Sequence, residues 1–227
     1  SDKAVALFNL EMSAEQLAMR MIAAAGGIEM NKVRTGRLEH NDWKKVNEAM
    51  SELSETNLYI EDNAGMTISE IRAKCRRLAT SDKGLGLIVI DYLQLISGSS
   101  KNEGNRVQEV SEISRSLKTM AMELKVPVVA LAQLSRSVEL RENKRPIMSD
   151  LRESGSIEQD ADIVMFLYRD DYYNKAAAEQ TDTSITELII GKHRNGGTGT
   201  IELLCERSMS NFRNYIKWSN FINFIII

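Results

Sequence analysis

Three polar side chains follow three apolar runs of the sequence, and each has the chemistry to act on phosphate or water. They are Glu11 after residues 5–10, Asp91 after residues 87–90, and Gln133 after residues 127–131. A carboxylate can hold a metal ion or orient water, and an amide can sense a phosphate oxygen. Any one of them could be an ordinary polar residue at a strand end, because such residues also cap turns. The three together predict a site for phosphate hydrolysis.

The run before Asp91 is the strongest strand signal in the chain. Residues 87–90 are unbroken aliphatics rich in β-branching, which is typical of a strand covered on both faces inside a parallel sheet. Ligands of open α/β sheets bind beyond the carboxyl ends of the strands. An aliphatic run that ends in an acid is the Walker B arrangement of nucleotide triphosphatases, in which the acid acts on Mg²⁺ at the phosphates.

Helices are predicted between the strands. Ser13 and Gln16 form a capping box that opens one helix, and Thr67 and Glu70 form another. Apolar residues recur at helical spacing over residues 107–124, which predicts a helix of about five turns. Strands that alternate with helices predict an α/β fold with a mostly parallel central sheet flanked by helices.

A β-hairpin is predicted late in the chain. Residues 185–190 and 198–204 are rich in strand-forming side chains, and they flank the segment 191–197, which contains glycine and basic residues. The basic tip could be a solvated turn, or its cations could act on phosphate.

Composition limits the classes of function. The chain has 227 residues, and its net charge of −3 allows nucleic-acid binding only through a local patch. Two distant cysteines support neither a disulfide framework nor a zinc site, and they fit a reducing cytoplasm. No apolar run approaches the length of a membrane span, so no membrane association is expected.

Five segments closely resemble, in order, the motifs of the DnaB-type hexameric replicative helicases of bacteria, whose motor domain has a RecA-like P-loop NTPase fold. The segments are Phe8-Asn9-Leu10-Glu11-Met12, residues 88–95, residues 130–136, residues 150–162, and Lys192-His193-Arg194-Asn195-Gly196. The likeness extends over most of the chain, and the stretch 152–162 is highly specific. It therefore implies an ATP-dependent helicase that translocates on single-stranded DNA and unwinds the duplex at the replication fork.

The resemblance implies roles for the three strand-end residues. Glu11 resembles the catalytic glutamate that polarises the attacking water. Asp91 resembles the Walker B acid, which acts on Mg²⁺ through its coordination shell. Gln133 resembles the γ-phosphate sensor that links hydrolysis to DNA grip.

The resemblance also implies roles for two basic segments. Lys192 and Arg194 resemble finger residues that reach into the nucleotide site of a neighbouring subunit, where a cation stabilises the transferring phosphoryl group. Arg152, Glu153 and Gly155 match the loop that grips the single-strand backbone in a central channel. Without the resemblance, the acids beside Arg152 would be interpreted as surface ion pairs.

The cofactors and partners follow from the same family. They are ATP and Mg²⁺ as cofactors, single-stranded DNA as substrate, a homo-hexamer as the assembly, and a helicase loader and primase as partners of the complete protein. No membrane partner is expected.

One motif of the family does not occur in the sequence. The P-loop pattern G-x-x-x-x-G-K-[ST], which cradles nucleotide phosphates, is absent. We therefore expect residues 1–204 to be a partial motor domain that lacks the P-loop strand and helix, with exposed apolar strand edges and no ATPase activity alone. Residues 205–227, rich in Asn, Ile and Phe towards the end, are expected to be an atypical tail.

Two alternative functions stay open on the sequence. The chain could be a non-enzymatic remnant that binds DNA or helicase subunits, which the missing P-loop favours. It could also be a RecA-like recombination or repair ATPase, which shares the fold and the Walker B motif. The segment 152–162 and the basic hairpin argue against the second alternative.

Overall fold

The computed structural model describes residues 2–98, 105–173 and 181–215. These residues form seven α-helices and two four-stranded sheets. The helices are α1 (Ala14–Gly26), α2 (Met30–Thr35), α3 (His40–Ser54), α4 (Ile68–Ala79), α5 (Arg106–Leu124), α6 (Ser137–Leu140) and α7 (Gly155–Asp160). The strands are β1 (Ala4–Asn9), β2 (Leu58–Glu61), β3 (Leu85–Asp91), β4 (Val128–Ala130), β5 (Ile163–Tyr168), β6 (Thr183–His193), β7 (Gly199–Glu206) and β8 (Asn211–Asn214). Short 3₁₀ helices span Leu93–Leu95, Met148–Ser154 and Asp170–Tyr172.

The first sheet is parallel throughout, with strand order β2-β1-β3-β4. Helices connect its strands, as parallel pairing requires. The carboxyl ends of β1 and β3 lie side by side, since Asn9 pairs in register with Asp91. The peptide bond between Asp91 and Tyr92 is cis. The predicted α/β architecture is confirmed in this half of the chain.

The second sheet is antiparallel throughout, with order β5-β6-β7-β8. The predicted hairpin is confirmed as β6 and β7. The predicted parallel arrangement of the central sheet is thus confirmed in the first sheet. In the second sheet, β6, β7 and β8 are antiparallel because they follow one another through short turns, and the pairing of β5 and β8 with the hairpin was not predicted. Strand β8 also extends the sheet past residue 204, where the sequence placed the start of an atypical tail; residues 216–227 lie outside the described part of the structure.

Side-chain caps determine where two of the long helices begin. Both predicted capping boxes are present, at Ser13 for α1 and Thr67 for α4. Helix α1 ends at Gly27, whose φ of 58° is left-handed and suits glycine. The short helix α2 was not predicted, because it spans one and a half turns and lacks a side-chain cap. None of the described helices is long and apolar enough to cross a membrane.

The main core lies on one face of the parallel sheet. Phe8, Ile88 and Ile90 are almost fully buried there, and α4 and α5 cover them with Ile71 and Ile113 among other apolar side chains. Alternate residues of β3, such as Val89, are only half-buried. The expectation of burial on both faces of β3 therefore holds for one face only in the described residues.

Two edge strands expose apolar side chains. On β4 and just after it, Val129 and Leu131 are 42% and 44% exposed. On β5, Ile163, Met165 and Leu167 are 45%, 50% and 58% exposed, and their period of two places them on one face. These residues agree with the expected exposure of apolar strand edges.

Candidate functional site

The parallel sheet brings Glu11 beside Asp91. Strands β1 and β3 end together, and the Leu10 amide donates a hydrogen bond of 2.7 Å to the Asp91 carbonyl. Glu11 follows Leu10 directly and is exposed, while Asp91 is partly buried. Two acids, eighty positions apart in the sequence, therefore meet at the carboxyl edge of one sheet.

The two carboxylates influence each other. The pKa of Asp91 is raised, first by burial, which disfavours its charged form, and second by the negative charge of Glu11. Such a partly desolvated acid beside a second acid is a good place for a cation, since a cation would relieve both effects.

Gln133 lies at the same edge, beyond β4. The Leu131 amide donates to the Ile90 carbonyl at 2.9 Å, so the chain after β4 still runs beside the end of β3. The side chain of Gln94, in the turn that follows Asp91, forms two hydrogen bonds with the main chain of Gln133. Gln133 itself is exposed. The structure thus brings all three predicted strand-end residues to one edge of the sheet.

Asn9 belongs to the first of the five motif segments, and no role was predicted for it. It is 2% exposed, and its Oδ1 atom has no hydrogen-bond partner within the described chain. A buried polar atom without a partner is costly, and it is a common feature of functional sites. Its signal in the sequence was a polar residue inside an otherwise apolar strand.

The donor set at this edge fits Mg²⁺ held mainly by a nucleotide. No group of three or more His, Cys, Asp or Glu residues that could hold a metal occurs among the described residues. Mg²⁺ does not need one, because it is usually bound by one or two carboxylates together with substrate phosphates and water. Asp91 is the partly buried carboxylate available to such an ion, and Glu11 lies beside it. The Asn9 oxygen can accept a hydrogen bond from a bound water.

A β-bulge shapes the basic hairpin. Val164 of β5 pairs with Lys192, while the next residue, Met165, pairs with Ile190, which leaves Gly191 as the extra residue. A Cβ atom at Gly191 would lie 2.7 Å from the Phe166 ring, so a side chain there would collide with the core of the second sheet. The bulge changes the direction of the strand directly before Lys192.

Lys192 and Arg194 both contact the carboxyl end of α7. The Lys192 ammonium donates to the carbonyls of Glu158 at 2.5 Å and Ala161 at 2.7 Å. The Arg194 guanidinium donates to the Gln159 carbonyl at 3.1 Å. Cations at a helix carboxyl end satisfy its last carbonyls and its dipole.

Asp162 joins this cluster to α5. Its carboxylate accepts hydrogen bonds from Arg194 at 2.6 Å and from Lys118 at 2.5 Å. The pKa of Asp162 is lowered, chiefly by the hydrogen bond from Lys118, with further lowering by the charges of Lys118, Arg194 and Lys192. Asp162 therefore remains ionised and keeps the arginine in place at neutral pH.

The described chain does not join the hairpin cations to the acidic edge. The hydrogen bonds of Lys192 and Arg194 go to α7 and Asp162, and none of those within the described residues goes to Glu11, Asp91 or Gln133. The predicted DNA-contacting residues, Arg152, Glu153 and Gly155, lie at the end of the Met148–Ser154 helix and the start of α7. The side chains of residues 152–155 lie outside the described part of the structure.

Comparisons with known proteins agree with the resemblance seen in the sequence. The family model for the DnaB-like helicase C-terminal domain matches residues 1–214. The chain is 58% identical over 214 residues to the replicative DNA helicase DnaC of Bacillus subtilis (strain 168), covering 94% of the chain and 46% of that protein. It is 59% identical over 210 residues to the replicative DNA helicase DnaB of Geobacillus stearothermophilus, covering 92% of the chain and 45% of that protein. The chain thus spans about half the length of the curated relatives it matches.

Solved structures give the same result. A solved ATPase domain superposes with a TM-score of 0.87 at 44% identity, covering 95% of this chain and 75% of that one. A DnaB-like replicative helicase, described with its interactions with primase, gives a TM-score of 0.88 at 44% identity, covering 95% of this chain and 51% of that one. The RecA-like fold is therefore confirmed. The chain belongs to the DnaB-like helicase C-terminal domain family.

Proposed function

We propose that this chain is the motor part of an ATP-dependent replicative DNA helicase. The observation that carries the proposal is the acidic edge of the parallel sheet, where Glu11 lies beside the partly buried Asp91 and Gln133 lies beyond the neighbouring strand. Family membership supports nucleotide and metal use in general, and the arrangement of these side chains supports ATP with Mg²⁺ in particular.

Each side chain at this edge has a separate task. Asp91 would hold Mg²⁺ through its water shell, and the ion would neutralise charge on the β- and γ-phosphates. Glu11 is exposed and ionisable, so it can accept a hydrogen bond from water and orient that water for attack. Gln133 can donate its side-chain amide to a phosphate oxygen and so sense whether the γ-phosphate is present.

The hairpin cations would act on a neighbouring copy of the chain. Arg194 is about half exposed. The hydrogen bonds of Lys192 and Arg194 go to the end of α7 and to Asp162 rather than to the acidic edge of their own chain. A cation that acts between subunits explains this separation, because the nucleotide would lie between the acidic edge of one copy and the hairpin of the next. We therefore propose a ring of identical subunits, with six as the family's number.

The DNA contact would lie where the Met148–Ser154 helix meets the start of α7. We propose that Arg152, Glu153 and Gly155 contact the backbone of single-stranded DNA, with the arginine supplying charge. A helicase loader and primase are the proposed protein partners of the complete protein. The free, buried cysteines Cys75 and Cys205 fit a reducing compartment, and we propose the cytoplasm.

Nucleotide binding and hydrolysis test the proposal. Calorimetry with Mg²⁺ and a non-hydrolysable ATP analogue measures binding by the 227-residue chain. The same titration is made on a hybrid helicase, in which this chain replaces the matched segment of the Geobacillus stearothermophilus relative. We expect the hybrid to bind the analogue, to hydrolyse ATP faster with single-stranded DNA, and to unwind a forked duplex. A hybrid that neither binds nor hydrolyses ATP would overturn the proposal and favour a non-enzymatic remnant that binds DNA or helicase subunits.

A mixing experiment tests the action of Arg194 between subunits. Hybrids with Arg194→Ala or with Asp91→Asn should each lose at least about 100-fold in hydrolysis, which is the typical cost of one stabilising charge. In a mixed ring, some interfaces combine an intact Asp91 with an intact Arg194. Mixing the two inactive proteins should therefore restore part of the activity. No restoration, despite mixed rings in native mass spectrometry, would contradict action between subunits.

A further inference from the structure

We propose that Gln94 is a positioning residue that fixes the main chain of Gln133 relative to Asp91. The inference rests on the proposed function of Gln133 as a phosphate sensor. It assigns a role to a residue that lies outside the catalytic set, in the short 3₁₀ helix Leu93–Leu95 just after Asp91.

The main-chain ladder between β3 and β4 ends just before Gln133. The Leu131 amide donates to the Ile90 carbonyl at 2.9 Å, and the Leu93 amide donates to the Leu131 carbonyl at 3.0 Å. After Leu93 the chain turns into the 3₁₀ helix, so its main chain leaves the ladder. Gln133 lies two residues after Leu131, where the next main-chain pair of the ladder would form. No main-chain group of the described residues forms a hydrogen bond with it there.

The Gln94 side chain supplies the next two hydrogen bonds after the main-chain ladder ends. Its Nε2 atom donates to the Gln133 carbonyl at 3.1 Å, and its Oε1 atom accepts from the Gln133 amide at 3.2 Å. A primary amide thus replaces the donor and acceptor of a peptide group. In the described chain, the Gln133 main chain makes no other hydrogen bond.

Gln94 is itself held from the other side. The guanidinium of Arg106, the first residue of α5, donates to the Gln94 main-chain carbonyl and also pairs with Glu109 at 2.8 Å. The polar connection therefore runs from α5 through Gln94 to Gln133. Gln94 also lies three residues after Asp91, so one short segment sets the position of both the metal-holding acid and the sensor.

The two hydrogen bonds require glutamine chemistry. Alanine at position 94 removes both, and glutamate keeps an acceptor for the Gln133 amide but turns a carboxylate oxygen towards the Gln133 carbonyl. A protonated glutamate can donate to that carbonyl and restore the pair. Gln94→Glu should therefore behave like Gln94→Ala at high pH and like the unaltered protein at low pH.

Two measurements test the inference, on the 227-residue chain and on the hybrid helicase. Amide hydrogen exchange at Gln133 reports its main chain, and ATP hydrolysis reports kcat and KM. We expect Gln94→Ala to speed exchange at Gln133 and to lower kcat, each by roughly tenfold or more, with KM changed little, because small misplacements of a catalytic group reduce the rate of the chemical step. Gln108→Ala, which removes an exposed glutamine on α5, is the matched control and should change neither.

The pH series separates positioning from a general loss of structure. Hydrolysis by Gln94→Glu, divided by that of the unaltered protein, should be low at pH 8 and recover towards pH 5, whereas Gln94→Ala should show no recovery. Unchanged kcat in Gln94→Ala, or a Gln94→Glu variant as active at pH 8 as the unaltered protein, would overturn the positioning role. A Gln133 amide that exchanges freely in the unaltered chain and hybrid would overturn the anchoring itself. If the hybrid hydrolyses no ATP, the proposed function fails, and the exchange data still decide whether Gln94 holds Gln133.

Discussion

The two sheets place functional residues in different ways. In the parallel sheet, every strand points in the same direction, so residues that follow different strands meet at one edge; this brings Glu11, Asp91 and Gln133 together from positions far apart in the sequence. In the antiparallel sheet, neighbouring strands run in opposite directions, and a hairpin carries Lys192 and Arg194 as a local unit.

The two sheets also differ in how they are stabilised. Helices α4 and α5 cover the parallel sheet, and most of the buried apolar side chains belong to its core. The antiparallel sheet has a small buried cluster of Leu151, Val164 and Phe166, and polar bonds to α7 secure its basic hairpin. The acidic edge therefore depends on a packed core, whereas the hairpin cations depend on hydrogen bonds. Four predictions test this difference.

The largest effect is expected at the acidic edge. Asp91→Asn removes the carboxylate proposed to hold Mg²⁺, and we expect ATP hydrolysis by the hybrid helicase to fall about 100- to 1,000-fold. The free energy of unfolding should not fall, because Asp91 forms no ion pair with any described residue and the substitution removes a partly buried charge beside Glu11. Asp82→Asn, at an exposed position before β3, is the control. Near-normal hydrolysis by Asp91→Asn would remove the acid from the mechanism.

The next effect concerns the core of the parallel sheet. Ile88 is 0% exposed and Ile201, on β7, is 46% exposed. We expect Ile88→Ala to lower the free energy of unfolding by about 3 kcal/mol, since it leaves a cavity in a packed core. Ile201→Ala should cost less than about 1 kcal/mol. Urea denaturation measures both, and equal losses would show that the two sheets share the stabilising core equally.

A smaller effect is expected at the hairpin. Lys192→Met keeps the aliphatic length of the side chain but removes the hydrogen bonds to the α7 carbonyls. We expect a loss of about 1.5–3 kcal/mol in the free energy of unfolding, which is typical of hydrogen bonds made by a charged group. Lys83→Met, at an exposed position before β3, should leave stability unchanged. Equal stability of the two variants would mean that the contact with α7 contributes nothing.

The smallest effect is a change in pH dependence. The pKa of folded Asp91 is raised above its ordinary value of 3.8, so its contribution to stability is complete below that value and is lost as pH rises through the folded pKa. Glu11→Gln removes the negative charge that is the second cause of the shift. The loss of stability with rising pH should therefore become smaller and move to lower pH. Carboxyl NMR titration of Asp91 measures the pKa directly. An unchanged titration would mean that the two acids are electrostatically independent, and Glu52→Gln on the exposed face of α3 is the control.

Local signals allowed much of the fold to be predicted. Capping boxes at Ser13 and Thr67 were correct because a cap depends on residues three positions apart. The strand before Asp91 was correct because an unbroken aliphatic run has few alternatives. The mostly parallel central sheet and the late hairpin were correct, but the antiparallel pairing of β5 and β8 with that hairpin was not predicted, since strand direction depends on how the connections close. Helix α2 was missed because it has neither a side-chain cap nor a long apolar period.

The candidate site was predicted as a set of residues rather than as an arrangement. Asn9 received no role, since its burial beside Asp91 depends on the pairing of β1 with β3. The bulge at Gly191 was invisible because it is defined by the partner strand. The hydrogen bonds between Gln94 and Gln133 join two residues far apart in the chain, and no local pattern indicates them.

Residue types and short spacings were enough to predict which residues could act on phosphate, where most helices and strands begin, and which family the motifs resemble. The folded chain was needed to show that Glu11 lies close enough to Asp91 to affect its pKa, that Gln94 holds Gln133, and that α7 holds Lys192. Electrostatic and hydrogen-bond interactions depend on distances of a few ångströms. Such distances between remote positions are fixed only when the strands pair and the helices pack.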